Sequence, residues 1–260
     1  MTKRQHTNTT KSHEARQHTT PSRGVISILQ LYPRDMNIYG DHGNLLALTR
    51  RLEWYGYTPK VITYDPGDTL PKSADIVIGG GGQDSGQAAI QADLISIGPT
   101  LKKWADAGVP MLMVCGLYQL FGHFFQTIDN TRLDGIGILD VKTYGTNERL
   151  IGNIVTEHPR FGTIIGYENH SGQTFLGANA TPLATVIQGA GNNAKDGHEG
   201  AVYKNVIGTY LHGSLLPKNP ALADFLIKTA TRKKFGTFSD DLVDDMFADL
   251  AREVARNRPR

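Results

Sequence analysis

A short apolar run, Met111-Leu112-Met113-Val114, stops at Cys115 and passes at once into a helical pattern, Gly116-Leu117-Tyr118-Gln119-Leu120-Phe121-Gly122. A buried strand that ends on a nucleophilic residue and bends directly into a helix constrains the whole fold. It sets that residue at the carboxyl edge of a sheet, over the orphan N–H groups of a helix N-terminus. Those donors and the helix dipole favour a thiolate, whereas a free thiol, with a pKa near roughly 8.5, is mostly protonated at neutral pH. Cys115 is the only cysteine in 260 residues. Taken alone, a lone cysteine is more often a buried structural thiol, and its neighbours must decide. A single cysteine excludes an internal disulfide and fits a reducing compartment, so a cytoplasmic protein is expected.

The segments before Cys115 supply the sheet. Val25–Tyr32 reads as a strand and is followed by a loop, Asn37-Ile38-Tyr39-Gly40-Asp41-His42-Gly43-Asn44. Leu45, Leu48, Leu52 and Tyr55 then recur at helical spacing until Gly56. Val61–Tyr64 and Asp75–Ile78 are further strands, the second running into Gly79-Gly80-Gly81-Gly82, and a helix from Gln87 to Ala107 leads to the strand before Cys115. This βαββαβα order predicts an α/β fold with an open, mostly parallel sheet flanked by helices, whose ligands sit at the carboxyl ends of the strands.

After Gly122 the pattern predicts an added antiparallel portion: strands at 137–144, 150–156, 163–167, 174–176, 185–188 and 201–211, the last leading to His212. Asn219-Pro220 reads as an N-cap and first-turn pair opening a helix toward Phe235. A last helix is expected from Ser239, with Leu242, Val243, Met246, Phe247, Leu250 and Val254 on one face. Residues 1–23 almost lack large apolar side chains and are expected to be a disordered tail, with His6, His13 and His18 solvated. A main domain over 24–236 and a C-terminal helix with a frayed end over 237–260 complete the division.

Lys and Arg number 27 against 25 Asp and Glu, a net charge of +2, which argues against a nucleic-acid-binding surface. No apolar run approaches the roughly 20 residues that span a bilayer. The basic N-terminus has no apolar stretch behind it and is not a secretory signal.

Three features converge on amide hydrolysis by a thiol. Cys115 is the candidate nucleophile. His212, at the end of the apolar Gly208-Thr209-Tyr210-Leu211 segment, is the candidate base; His170, in Gly166-Tyr167-Glu168-Asn169-His170, is its rival. The glycine run offers N–H donors for an oxyanion: Gly81 or Gly82, paired with Gly116 or Leu117 after the nucleophile. Each has a plainer reading, as a packed histidine or a flexible turn. The run is not a phosphate-binding loop, because no Gly-Lys-Ser/Thr follows. His42 and His123 read as structural or surface residues, and no ligand spacing points to a metal.

At these residues the chain resembles a known family. Cys115–Gly122 is similar to the nucleophile motif of class I glutamine amidotransferases, in the branch typified by cobyric acid synthase. Thr209-Tyr210-Leu211-His212-Gly213 resembles that branch's histidine motif, and Gly166–His170 its third signature. Within the branch, Tyr39–Asn44, Ile78–Asp84 and Arg149-Leu150-Ile151-Gly152-Asn153 resemble the glutaminase subunits of lipid II isoglutaminyl synthases. The likeness spans about Val25 to Phe235.

The resemblance implies that Cys115 attacks the side-chain amide of L-glutamine to form a thioester. It implies His212 as general base and acid, and Arg149 as a substrate-binding residue whose guanidinium fork suits a carboxylate. Ammonia would pass to a Mur-ligase-like synthetase subunit, MurT, in a heterodimer. That subunit would hold ATP and Mg and amidate the α-carboxyl of D-glutamate in the lipid II stem peptide; no cofactor is expected in this chain. The missing ATP-binding loop agrees with half a synthetase. A stand-alone glutaminase, an amidotransferase for a cobyrinate-type acceptor and an inactive scaffold subunit are the alternatives. The Tyr39–Asn44 loop and the last helix, if it is not core, are candidate partner surfaces. One residue departs from the wider class: Ser214 stands where most members carry a triad glutamate two residues after the histidine. Cys115 and His212 would then act as a dyad, or the partner would supply the carboxylate.

Overall fold

Alternating strands and helices build a six-stranded sheet whose carboxyl edge carries every candidate residue named so far except Arg149 and His170. The structure is a computed structural model that describes residues 22–212, 214–239 and 243–258. In chain order the first half comprises β1 (Val25–Leu31), α1 (His42–Trp54), β2 (Thr58–Tyr64), β3 (Ile76–Gly79), α2 (Asp84–Asp106), β4 (Met111–Val114) and α3 (Gly116–Phe121). Then come β5 (Phe124–Gln126), β6 (Arg132–Asp134), β7 (Val141–His158), β8 (Gly162–Leu176), β9 (Ala184–Gln188) and β10 (His198–Glu199). The chain continues through β11 (Ala201–Tyr203), β12 (Val206–Thr209), α4 (Leu215–Lys218), α5 (Pro220–Phe235) and α6 (Met246–Arg256).

The main sheet has the order β11-β12-β4-β3-β1-β2, parallel except for the edge strand β11. Every residue of β3, β4 and β12 is buried, as expected of central strands covered on both faces. β1 pairs with β2 on one side and β3 on the other. The connections leaving β1 and β3 therefore diverge, which opens the crevice where such sheets receive ligands. The expected βαββαβα order is the observed one, although α1 begins three residues before Leu45.

The antiparallel portion differs from the expected set of short strands. Segments 137–144 and 150–156 are not two strands: β7 runs unbroken from Val141 to His158, with a register shift between Gly145 and Leu150 against β8. The polar stretch Asn147-Glu148-Arg149 reads as a turn in sequence, but it is a bulge that lets both halves pair with the same partner. Segments 163–167 and 174–176 likewise merge in β8. The expected strand 201–211 is a hairpin, β11 and β12, and β12 joins the main sheet beside β4 rather than the antiparallel one.

The C-terminal elements also need correction. Pro220 opens α5, but the Asn219 side chain does not cap it. Asn219 bridges the backbone of Ile165 and Leu215 instead, tying β8 to α4. The last helix starts at Met246, with Val243 outside it; residues 240–242 lie outside the described residues. Its apolar face is not core, since Phe247 is 78% exposed and no residue of α6 is buried. Most of the expected tail, 1–21, also lies outside the described residues; Arg23 N–H donates to Gly56 O at 2.9 Å. Among the described residues no helix is long and apolar enough to cross a membrane.

Candidate active site

Cys115 occupies the turn between β4 and α3 with φ 51° and ψ −106°. This backbone conformation is one that L-residues other than glycine avoid, at a cost of about 1–3 kcal/mol. The local structure holds it there: the Cys115 N–H donates to Thr209 O of β12 at 2.8 Å, and its carbonyl accepts the Gln119 N–H at 3.0 Å. The sulfur-bearing residue is thus projected from the carboxyl edge of β4.

His212 follows β12, the neighbour of β4. Its backbone pairs with Tyr167 of β8, and its side chain is 1% exposed. The two candidate residues meet over the glycine run. A Cβ on Gly81 would lie 3.0 Å from Cys115 Cβ and 3.0 Å from His212 Cε1, so only glycine lets the strand β3 connection pass beneath both. Burial disfavours a charged His212, but its charge interactions with Cys115 and with the nearby Asp41 carboxylate outweigh it and raise the ring to about 10.

The structure also sorts the four candidate oxyanion donors. The Gly81 N–H is engaged by Asp41 Oδ2 at 2.7 Å, and the Leu117 N–H reaches Gly80 O at 3.4 Å. The N–H groups of Gly82 and Gly116 have no acceptor among the described residues. These two lie together: a Cβ on Gly116 would stand 3.2 Å from Gly82 N.

A cavity of about 390 Å³ opens from Cys115 and is lined by Tyr39, Gln119, Arg149, Asn169 and His170, among others. Arg149 projects from the β7 bulge. Its Nε donates to Asn169 Oδ1 at 2.7 Å and its Nη2 to Tyr39 OH at 3.1 Å, which fixes the guanidinium on the cavity that Cys115 also lines. His170, the rival base, lines the same cavity, but its Nδ1 is bound to Gly172 O at 2.7 Å and its ring stacks on Tyr210 at 3.6 Å. Burial pushes its pKa down to about 4, which makes it a poor proton acceptor beside His212. Gln119 is fixed from both sides, its Oε1 accepting from Gln87 and its Nε2 donating to Tyr210 OH.

Tyr39 and Asp41 are the residues that reading the sequence missed. Both lie in the loop singled out there only for its resemblance and as a possible partner surface, yet Asp41 is 4% exposed and Tyr39 packs its ring on His212 at 4.4 Å. The signal was present in the glycine run, because a Cβ on Gly80 would meet Met36 O at 2.3 Å and Asp41 Cβ at 2.7 Å. Those glycines make room for the loop.

A strained thiol, a buried histidine, paired N–H donors and a guanidinium on the same cavity form a site able to cleave a small amide that carries a carboxylate. Comparison with known proteins agrees. The sequence model of the CobB/CobQ-like glutamine amidotransferase domain matches residues 27–220, a span that holds Cys115, Arg149 and His212. Subunit GatD of lipid II isoglutaminyl synthase (glutamine-hydrolyzing) from Staphylococcus aureus strain N315 is 37% identical over 234 residues, covering 90% of this chain and 96% of the relative. The same subunit from Streptococcus pneumoniae R6 is 37% identical over 214 residues, 81% of this chain and 82% of that one. Among solved structures, PurLQS from Thermotoga maritima aligns with a TM-score of 0.55 at 15% identity, over 78% of this chain and 97% of that chain, a likeness of fold.

Proposed function

The chain belongs to the CobB/CobQ-like glutamine amidotransferase family, and on that footing we propose that it is the glutamine-hydrolysing subunit of a lipid II isoglutaminyl synthase. The observation that carries the chemistry is the meeting of Cys115 and His212 over Gly81, beside a cavity that Cys115 and Arg149 both line. The observation that favours this acceptor is the 37% identity that runs through nearly the whole length of the GatD relative.

Arg149 holds the α-carboxylate of L-glutamine, and the side-chain carboxamide reaches Cys115. The thiolate attacks the carboxamide carbon, and the N–H groups of Gly82 and Gly116 take the developing oxyanion. His212 delivers its proton to the departing nitrogen, ammonia leaves, and a γ-glutamyl thioester remains. The imidazole, now neutral, takes a proton from water as the water attacks the thioester. Glutamate departs and the thiolate and imidazolium are restored.

Ammonia then serves a Mur-ligase-like partner of the MurT kind, which holds ATP and Mg, activates the α-carboxyl of D-glutamate in the lipid II stem peptide and converts it to the amide. The pair acts on the cytoplasmic side of the membrane.

The test is transfer of label from L-glutamine carrying 15N in its side-chain amide, with the chain, the partner, ATP, Mg and lipid II together. Label in the stem-peptide amide that disappears with Cys115→Ala supports the assignment. Glutamate release with no amidated lipid II overturns it in favour of a stand-alone glutaminase or another acceptor.

A further inference from the structure

Besides Cys115, two side chains lining the catalytic cavity carry a full charge, and their signs are opposite: Arg149 from the β7 bulge and Asp84 from the start of α2. His170, on the same cavity, is held neutral by burial, its pKa pushed down to about 4. Arg149 spends two donors on uncharged acceptors, Asn169 Oδ1 and Tyr39 OH, and has no carboxylate partner among the described residues. The Asp84 carboxylate accepts no hydrogen bond and forms no ion pair among them. A few placed polar groups fix the orientation of a ligand in such a cavity, and here an anion and a cation stand ready without pairing to each other.

Asp84 is held in fixed register with the reacting centre. It is the first residue of α2 and stands two residues after Gly82, whose N–H is one of the free oxyanion donors. The Gln87 N–H donates to Gln83 O at 3.0 Å and closes the first turn. The Gln87 side chain then donates to Gly116 O at 3.1 Å and to Gln119 Oε1 at 2.7 Å, which ties that turn to α3, the helix that follows the thiol. Residues three apart on a helix share a face, so Asp84 lies one turn nearer the helix start on the face that Gln87 turns toward α3. A first-turn aspartate also complements the helix dipole, a role that needs no ligand and that the experiment separates.

We propose that Asp84 is the specificity-determining residue that accepts the α-ammonium of L-glutamine, while Arg149 holds the α-carboxylate and the carboxamide meets Cys115. This deepens the glutaminase reading above and rests on it. Free glutamine is a zwitterion, and its two α-substituents carry the charges complementary to the unpaired carboxylate and guanidinium. Three attachments to one tetrahedral carbon fix its hand: exchanging the α-groups sets ammonium against Arg149 and carboxylate against Asp84. The substrate class is therefore a free L-amino acid with a side-chain amide. Glutamine acylated on its α-nitrogen, or inside a peptide, has no ammonium and leaves Asp84 without its partner.

The experiment measures ammonia release by the full chain from L-glutamine, D-glutamine and glutaramate, for wild type, Cys115→Ala, Asp84→Asn and Asp84→Glu. Glutaramate keeps the amide and the carboxylate and lacks the α-ammonium. Wild type is expected to prefer L-glutamine over glutaramate at least about tenfold in kcat/KM. Asp84→Asn is expected to raise KM for L-glutamine about tenfold or more, with kcat changed less than about threefold, and to bring the two substrates within about threefold of each other. Asp84→Glu is expected to restore part of the preference. A preference that Asp84→Asn leaves within about twofold of wild type overturns the proposal, as does wild type turning over D-glutamine within about threefold of the L-form.

An aspartate that only complements the helix would lower the melting temperature of Asp84→Asn and slow both substrates alike, so parallel losses contradict the proposal. Should turnover of glutaramate fall below detection, calorimetry on Cys115→Ala decides. That chain is expected to bind L-glutamine at least about tenfold more tightly than glutaramate, and to bind the two alike once Asp84→Asn is added; a preference kept in the double variant overturns the proposal. Wild type as inactive as Cys115→Ala, with or without the Mur-ligase-like partner, sinks the glutaminase reading, a result distinct from an active wild type whose preference ignores Asp84.

Discussion

The Tyr39 ring lies 4.4 Å from the His212 ring at an interplanar angle of 52°, so the residue that steadies Arg149 through its hydroxyl also covers the histidine. One side chain thus touches both Arg149 and His212. Removing the hydroxyl separates the two roles. Tyr39→Phe is expected to raise KM for L-glutamine about two- to tenfold, the worth of one hydrogen bond, with kcat nearly unchanged. Tyr39→Ala is expected to lower kcat as well. Steady-state kinetics of the two variants checks this.

Arg149→Lys is expected to behave almost as Arg149→Ala, since an ammonium cannot reproduce a planar fork that holds Asn169 and Tyr39 and, on the proposed reading, the substrate carboxylate together. A lost charge-assisted contact corresponds to about a 10- to 100-fold rise in KM. Arg149 is exposed in a bulge, so thermal melting should be unchanged.

The fold up to α3 is legible in sequence because each element is long, periodic and bounded: Leu45, Leu48 and Leu52 mark one helix face, and four buried residues mark β4. The β7–β8 pair is not, because its bulge carries Glu148 and Arg149, which look like a turn until the partner strand is known. Cys115 can be found from its strand-to-helix context and His212 from the strand that ends on it. The place of Asp41 cannot, since its contact exists only once β1 and β3 lie side by side and bring residues 40 apart to one hydrogen bond. The C-terminal helix shows the opposite error: its clean apolar face suggested core, and the structure leaves it exposed.

Activity should depend on pH through His212, raised to about 10 against an ordinary value near 6.5. A group held above its unfolded value contributes its full stability below about 6.5 and loses it as pH rises through about 10. Both kcat/KM and the melting temperature are therefore expected to fall together above neutral pH toward that value. Cys115→Ala removes the leading cause that raises the ring, so His212 should titrate at lower pH in that variant, as followed by NMR of its ring.

Gly81→Ala is expected to abolish measurable glutaminase activity, a loss of at least about 100-fold, because the added methyl enters the space between Cys115 and His212. Its backbone is not left-handed, so the chain should fold and melt within a few degrees of wild type. Gly67→Ala, in open space, is the control for volume, although its φ of 93° adds backbone strain.

Glu199 is fully buried, with one oxygen accepting from Tyr210 N–H and Thr209 Oγ1 and the other unpaired. Burial raises its pKa to about 7. A carboxyl held above its unfolded value loses stability for the fold as pH rises from about 4.5 to 7. Glu199→Gln keeps the acceptor and removes the ionisation, so it is expected to raise the melting temperature by a few degrees at pH 8 and to change little at pH 4.5. Melting curves at the two pH values check it.

The most direct measurement is glutamate release from L-glutamine by the purified chain beside Cys115→Ala and His212→Ala. Release by wild type that both substitutions reduce to background is the expected result. Release that persists in Cys115→Ala, or none from wild type with or without a Mur-ligase-like partner, would contradict the assignment of this site as a thiol glutaminase.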